Sequence, residues 1–187
     1  MSSREQKYRN TMADNIILIG FMGVGKGRTA RALAEQTGRF AVDTDDLIES
    51  MVNMKIRTIF AEQGEAAFRR LEQQAADWLE QHVSETVVST GGGFFQVKNL
   101  NRLGTVVYLH STVEEIYHSI SGHPKAKKKI KKRPLLTDLP QAEKLFRERL
   151  PRYRELADIE IAVSGKTGAE RAQEITGYLD NLRDLSE

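Results

Sequence analysis

The stretch GFMGVGKGRT, Gly20 to Thr29, decides the fold. It follows NIILIG (Asn15 to Gly20), a short apolar run ending in glycine, as a buried parallel strand would. It leads into KGRTARALAEQTG, a helical pattern with Gly38 as its stop. A glycine-rich turn carrying a lysine between a strand and a helix is the phosphate-gripping pattern G-x-x-x-x-G-K-[ST]. Gly20, Gly25 and Lys26 fit it, and Gly23 adds a further point of close approach. Backbone N–H groups in such a loop converge on phosphate oxygens, and the helix N-terminus adds favourable partial charge. One position departs: Gly27 stands where a Ser or Thr hydroxyl for Mg²⁺ is due. Thr29 lies two residues further along the helix, so it points about 200° away from position 27 and cannot simply substitute. Arg28 reads either as a solvated side chain or as an arm to a nucleotide phosphate.

Outward from this loop, strand and helix patterns alternate. FAVDTDDLIES (Phe40 to Ser50) reads as a short strand, then carboxylates, then a helix start. In EAAFRRLEQQAADWLEQH, Phe68, Leu71, Ala75, Trp78 and Leu79 recur at the spacing of one apolar helix face. TVVSTGGG (Thr86 to Gly93) is a β-branched strand running into three glycines, and TVVYLH (Thr105 to His110) is a further buried strand. Ser111 or Thr112 can cap the next helix, with Glu114 or Glu115 near the capping-box position. A helix around Gln141 to Leu150 is expected to be disturbed at Pro151. DIEIAV (Asp158 to Val163) gives a last strand and Ala169 to Leu182 a last helix. Five strands alternating with helices predict an α/β fold: a five-stranded parallel sheet with helices on both faces, in three αβα layers. Ligands of such sheets bind outside the carboxyl ends of the strands. The glycine loop, the carboxylates and the three glycines all fall there.

Several of these residues carry chemistry. Asp43 and Asp45 read as alternate residues of an extended segment and so as facing one cleft, with Asp46 left to helix capping. Phosphoryl transfer uses such a carboxylate to orient or deprotonate an attacking hydroxyl. Arg69 and Glu72 are three apart on one helix face, and from spacing alone they read as a surface ion pair. Gly91, Gly92 and Gly93 let a ligand approach the backbone, or form a loop with unusual dihedrals.

Length, composition and charge set the bounds. The chain has 187 residues, 40% hydrophobic and 29% charged, which suits one packed domain, with residues 1–13 as a loose polar leader. It has no cysteine, which excludes disulfides and thiolate metal sites and suits a cytoplasmic location. There is no apolar run of membrane-spanning length, so no membrane association is expected. The net charge is only +2, yet seven of the nine residues in KAKKKIKKR (Lys125 to Arg133) are basic. That stretch holds no aromatics for base stacking, so nucleic-acid binding is not expected. It reads instead as part of a mobile lid over the phosphates, about residues 121–137. Arg133, followed by Pro134 and two leucines, is its best-defined contact.

Taken in order, GFMGVGK, DTDDLIE, IFAEQGEAAFRRLE, STGGG, RPLL and RLPRYRELAD resemble the shikimate kinase family, a nucleoside-monophosphate-kinase-like branch of the phosphate-loop proteins. The resemblance spans Ile16 to about Asp158. It implies ATP-dependent phosphorylation of the 3-hydroxyl of shikimate, a step of aromatic amino-acid synthesis, with ATP and Mg²⁺ as cofactors and a monomeric enzyme. By the same resemblance Lys26 binds the transferring phosphate and Asp45 is the catalytic base. Asp43 holds Mg²⁺ through water. Arg69 and Arg149 bind the shikimate carboxylate, steadied by Glu72. Gly91 to Gly93 line the pocket, walled by Phe60 and Phe68, and Arg133 closes over the phosphates. Gly23, Gly25, Gly27, Arg28 and Thr29 belong to the ATP-binding stretch.

The chain departs from the family pattern in three places. Gly27 and Arg28 replace its Ser/Thr and following threonine. SISGHPKAK stands where a further lid arginine is usual, and SGKTGAE replaces the adenine-contacting stretch. The missing hydroxyl is expected to raise the Mg²⁺ requirement with activity preserved, because Mg²⁺ commonly retains several waters. The alternatives are a module that has kept the substrate grip without productive catalysis, and a related kinase with another acceptor.

Overall fold

The computed structural model describes residues 15–122, 124, 126 and 134–184. The leader at 1–13, most of the basic stretch and Arg133 lie outside the described residues.

The central strand is β1 (Asn15–Ile19), a run of buried residues flanked on both sides by parallel neighbours. On one side lie β3 (Thr86–Ser89) and then β2 (Phe40–Asp43); on the other lie β4 (Gly104–His110) and then β5 (Ile159–Ala162). The order is β2-β3-β1-β4-β5, with every pairing parallel. Because strand residues alternate in direction, β1 feeds two cores. Ile16 and Leu18 join Leu33, Val87, Val107, Leu109 and Ile175 on one face; Ile17 and Ile19 join Ile48, Ile59, Leu79, Val88 and Tyr108 on the other. Each such buried side chain contributes about 1.5–3 kcal/mol relative to exposure. Two covered faces explain why β1, β3 and β4 are buried along their length, whereas the edge strand β5 alternates between buried and exposed residues.

Among the described residues, six α-helices complete the layers. α1 (Lys26–Thr37) starts from Gly25 and ends at Gly38, both in the left-handed region. α2 (Thr44–Val52) follows β2 directly, and the Asp43 carboxylate caps it by accepting from Asp45 N–H at 3.0 Å. This corrects two expectations. Asp45 is in the first turn of a helix, not on an extended strand, and the cap is Asp43 rather than Asp46.

α3 (Ile56–His82) is kinked at Gly64, whose φ of 77° and ψ of 172° interrupt the helix. Its buried stripe runs through Phe68, Ala75, Ala76 and Leu79, and it includes Glu72. Trp78, expected on that stripe, is 46% exposed. The stripe turned toward a buried carboxylate that hydrophobic periodicity cannot register.

α4 (Val113–Ser121) carries a full capping box between Thr112 and Glu115. α5 (Leu139–Leu156) is capped by Asp138 and continues through Pro151 to Leu156. The proline removes one helical donor, but tertiary packing of the last turns overrides that loss. Tyr153 is buried and stacks on Tyr108 of β4 with ring centroids 5.2 Å apart. α6 (Gly168–Asp184) packs beside α1 and closes the fold. Among the described residues, no helix is long and apolar enough to cross a membrane.

Candidate active site

The loop after β1 brings backbone, not side chains, to the strand ends. Gly20 has φ of 144°, and a Cβ there would stand 2.6 Å from the Leu109 carbonyl oxygen. Only glycine fits such a place. Gly25 has φ of 107°, and its Cβ would meet the Arg171 guanidinium at 2.7 Å. The Lys26 ammonium donates to the carbonyls of Gly20 at 2.7 Å and Phe21 at 3.1 Å, so it lies across the loop mouth. The N–H groups of Arg28 and Thr29 both donate to Gly25 O at 3.0 Å. Thr29 is fully buried. Arg28 is exposed and runs toward α6, where a Cβ at Gly168 would stand 3.2 Å from its Cγ.

The three glycines after β3 are the hub of the site, and each faces a different charged group. A Cβ at Gly91 would stand 2.6 Å from Asp45 Oδ1 and 3.3 Å from Glu72 Oε1. At Gly93 it would stand 2.3 Å from Arg69 Nη1. At Gly92 it would stand 3.5 Å from the Met22 backbone nitrogen in the phosphate loop and 3.8 Å from Arg149 Nη1. Side chains at Gly91 and Gly93 would push the Asp45 carboxylate and the Arg69 guanidinium aside, whereas at Gly92 a Cβ would make only ordinary contacts. The ridge is fixed by its own contacts. Gly91 N–H donates to Thr44 Oγ1 at 3.1 Å, while Arg149 Nη1 and the Tyr153 hydroxyl both donate to Gly92 O, at 2.9 and 2.6 Å.

Electrostatics divide this ridge into an acidic end and a basic end. Burial, then the neighbouring Asp43 carboxylate, pushes the Asp45 carboxyl up to about 7, with Lys26 opposing. Burial also raises Glu72, against the opposing pull of Arg69. Asp45 Oδ1 and Glu72 Oε1 are both buried without a hydrogen-bond partner in the ligand-free protein. A buried acceptor left unmatched is costly, and a donor from a ligand hydroxyl would satisfy it.

Arg69 is held from two sides. Its Nη1 donates to Glu72 Oε2, and its Nε and Nη2 donate to Glu65 Oε1 at 3.1 and 2.7 Å. Its guanidinium lies 5.6 Å from the Phe68 ring centre, and the exposed Phe60 ring packs against Phe68 at 4.8 Å. The structure thus gathers Asp45, Arg69, Glu72, Arg149, Phe68 and the three glycines next to the loop that carries Lys26.

A metal would find oxygen donors beside Gly27. Asp43 Oδ2 accepts from the Ser89 hydroxyl at 2.7 Å, and both oxygens face the space a side chain at position 27 would take. Among the described residues, no group of three or more His, Cys, Asp or Glu is arranged to hold a metal. Two oxygen donors with room for water suit Mg²⁺, which takes most of its shell from water and phosphate.

Four contributors were not singled out in the sequence. Ser89 is visible only through the parallel register that sets it opposite Asp43. Tyr153, Glu65 and Thr44 act through contacts that hydrophobic spacing does not encode; the i,i+4 spacing of Glu65 and Arg69 was the one available signal.

A family model described as shikimate kinase matches residues 22–180. The shikimate kinase of Helicobacter hepaticus is 36% identical over 168 residues, covering 89% of this chain and 96% of that protein. That of Histophilus somni is 36% identical over 177 residues, covering 90% and 97%. Among solved structures, a shikimate kinase from Acinetobacter baumannii in complex with shikimate superposes with a TM-score of 0.77 at 31% identity, covering 94% of this chain and 97% of that one.

Proposed function

The chain belongs to the shikimate kinase family and phosphorylates shikimate, and we propose that it carries the γ-phosphoryl group of ATP to the 3-hydroxyl. The observation that carries this reading is the glycine ridge, along which the carboxylate Asp45, the cations Arg69 and Arg149 and the phosphate loop all meet. A hydroxylated carboxylic acid fits that order of charges. Its carboxylate would lie between Arg69 and Arg149, and a ring hydroxyl would point at Asp45.

Each residue then has a task. Arg69 offers a planar fork suited to a carboxylate, and Glu72 fixes its orientation from the buried side. Arg149 is oriented by its bond to Gly92 O. Phe60 and Phe68 wall the ring. Asp45 accepts the proton of the attacking hydroxyl as the O–P bond forms, and a carboxyl near 7 is well matched to that exchange at neutral pH. Lys26 turns from its carbonyl partners to the transferring phosphoryl oxygens, where charge develops. The backbone from Gly23 through Gly25 to Gly27 cradles the phosphates; Arg28 and Thr29 border it, and Arg133 closes over it. Mg²⁺, held through water by Asp43, would neutralise phosphate charge. Positioning and charge neutralisation supply most of the rate. We place the reaction in the cytoplasm, in a monomer.

A coupled assay for ADP with a panel of hydroxylated acids tests the reading. We expect turnover that depends on shikimate and on Mg²⁺. A higher kcat/KM with another acceptor, or ADP release indifferent to the acceptor, would refute it.

A further inference from the structure

Gly27 lacks the hydroxyl that a phosphate loop places there, yet nothing in the packing demands glycine. Gly27 is not among the residues with positive φ. A Cβ on it would stand 3.7 Å from Arg31 Nη1, 3.8 Å from Ser89 Oγ and 3.9 Å from Asp43 Oδ2, all ordinary contact distances. The space is therefore open and lined by polar groups.

Two of those groups form a built pair. Asp43 and Ser89 are register partners on the adjacent strands β2 and β3. Ser89 is only 3% exposed, and its hydroxyl donates to Asp43 Oδ2 at 2.7 Å. A serine hydroxyl has one proton and two lone pairs. With the proton committed to Asp43, Oγ can only accept toward the space above Gly27. That is the polarity a cation-bound water requires. Ser89 Oγ lies 3.8 Å from the Cβ position of residue 27, so where a hydroxyl on residue 27 would reach a cation directly, Ser89 would reach it through a water.

We propose that Ser89, with Asp43, takes over the metal-side role of the absent hydroxyl: a water ligand of the divalent cation sits above Gly27, held by Ser89 Oγ and Asp43 Oδ2. The inference rests on the ATP-dependent reading above. Arg31 Nη1 also lines the space, 3.7 Å from the Cβ position, and a cation there would pair with phosphate oxygen rather than with metal.

Calorimetry with a non-hydrolysable ATP analogue tests this, with Mn²⁺ as the metal. The quantity is the ratio of analogue Kd in EDTA to Kd in saturating Mn²⁺, for wild type, Ser89→Ala, Gly27→Ser and the double variant. Ser89→Ala should cut that ratio about tenfold, equivalent to about 1.4 kcal/mol of metal coupling. In the Gly27→Ser background, where a hydroxyl reaches the metal directly, the same change should cost about twofold or less. Each variant's Kd in EDTA is its own reference, so a change in the phosphate cradle itself cancels from the ratio. Ser89→Cys, close in size but with a sulfur that hard cations and their waters disfavour, should repeat the loss even where the alanine variant folds poorly.

An unchanged ratio in Ser89→Ala or Ser89→Cys overturns the proposal, as does an equal loss in both backgrounds. If wild type binds no analogue with or without Mn²⁺, the ATP-dependent reading falls and takes this inference with it. If wild type binds and the ratio ignores Ser89, only the inference falls.

Discussion

Replacing Asp45 by Asn should make the ligand-free protein more stable while abolishing most of its turnover. The Asp45 carboxyl is raised from its ordinary 3.8 to about 7, first by burial and then by Asp43. Between those two values the folded protein keeps a proton that the unfolded chain has lost. Stability therefore falls as pH rises through that window, and the whole penalty is present above pH 7. A shift of that size corresponds to a ceiling of about 4 kcal/mol at 1.36 kcal/mol per unit. Asp45 as a whole is half-buried, although its Oδ1 is sealed from solvent, so about half of the ceiling, about 2 kcal/mol, is the expected effect. Asn keeps the shape and cannot ionise. Urea unfolding at steps from pH 4 to pH 8 should show the two proteins level at the acid end. The Asn variant should lead by about 2 kcal/mol at pH 8. Its kcat should fall by about 10²- to 10⁴-fold, the usual weight of a general base. A gap that does not change with pH, or one favouring wild type at pH 8, would refute the reasoning that burial strains this carboxylate.

Three further outcomes follow from named contacts. Gly93→Ala puts a methyl group where Arg69 Nη1 now lies, at 2.3 Å, so the KM for shikimate should rise about 10- to 100-fold, with ATP affinity unchanged by calorimetry. Glu65 is an exposed partner that occupies the Nε and Nη2 edge of Arg69, so Glu65→Gln should free that fork and lower the shikimate Kd about two- to fivefold, the worth of a surface ion pair. Gly104→Ala would drive a Cβ to 2.1 Å from Asn15 O at a φ of 147°, where β4 begins beside β1; thermal unfolding should show a loss of about 3 kcal/mol or more, against an unchanged Tm if the strands part easily.

The alternation of apolar runs with helical patterns made the α/β layers legible, because both faces of the sheet are covered. The sheet order was not, since nothing local says that β1 lies between β3 and β4. Short-range rules failed where tertiary contacts decide. Pro151 did not end its helix because Tyr153 is held on the sheet. Trp78 lies off the buried stripe of Phe68, Glu72, Ala75, Ala76 and Leu79, which includes a carboxylate that an apolar count leaves out. Asp43 and Asp45 were paired through strand alternation, yet the chain enters a helix between them.

The charged residues of the site were legible as types. What the sequence could not show is that Gly91 gives room to Asp45 and Gly93 to Arg69, or that Ser89 stands beside Gly27. Both facts join segments far apart in the chain. Spacing left Arg69 a surface pair because its setting depends on Gly93 and Glu72 being folded around it.

The most direct test of the central claim identifies the product and the residue that makes it. Purified protein should be incubated with shikimate, ATP and Mg²⁺ and the mixture followed by ³¹P nuclear magnetic resonance. The account predicts one new phosphomonoester, coupled to the proton on carbon 3 of shikimate. It predicts loss of that signal in Asp45→Asn, with shikimate binding retained. Phosphate on another hydroxyl, inorganic phosphate as the only product, or full activity in Asp45→Asn would contradict it.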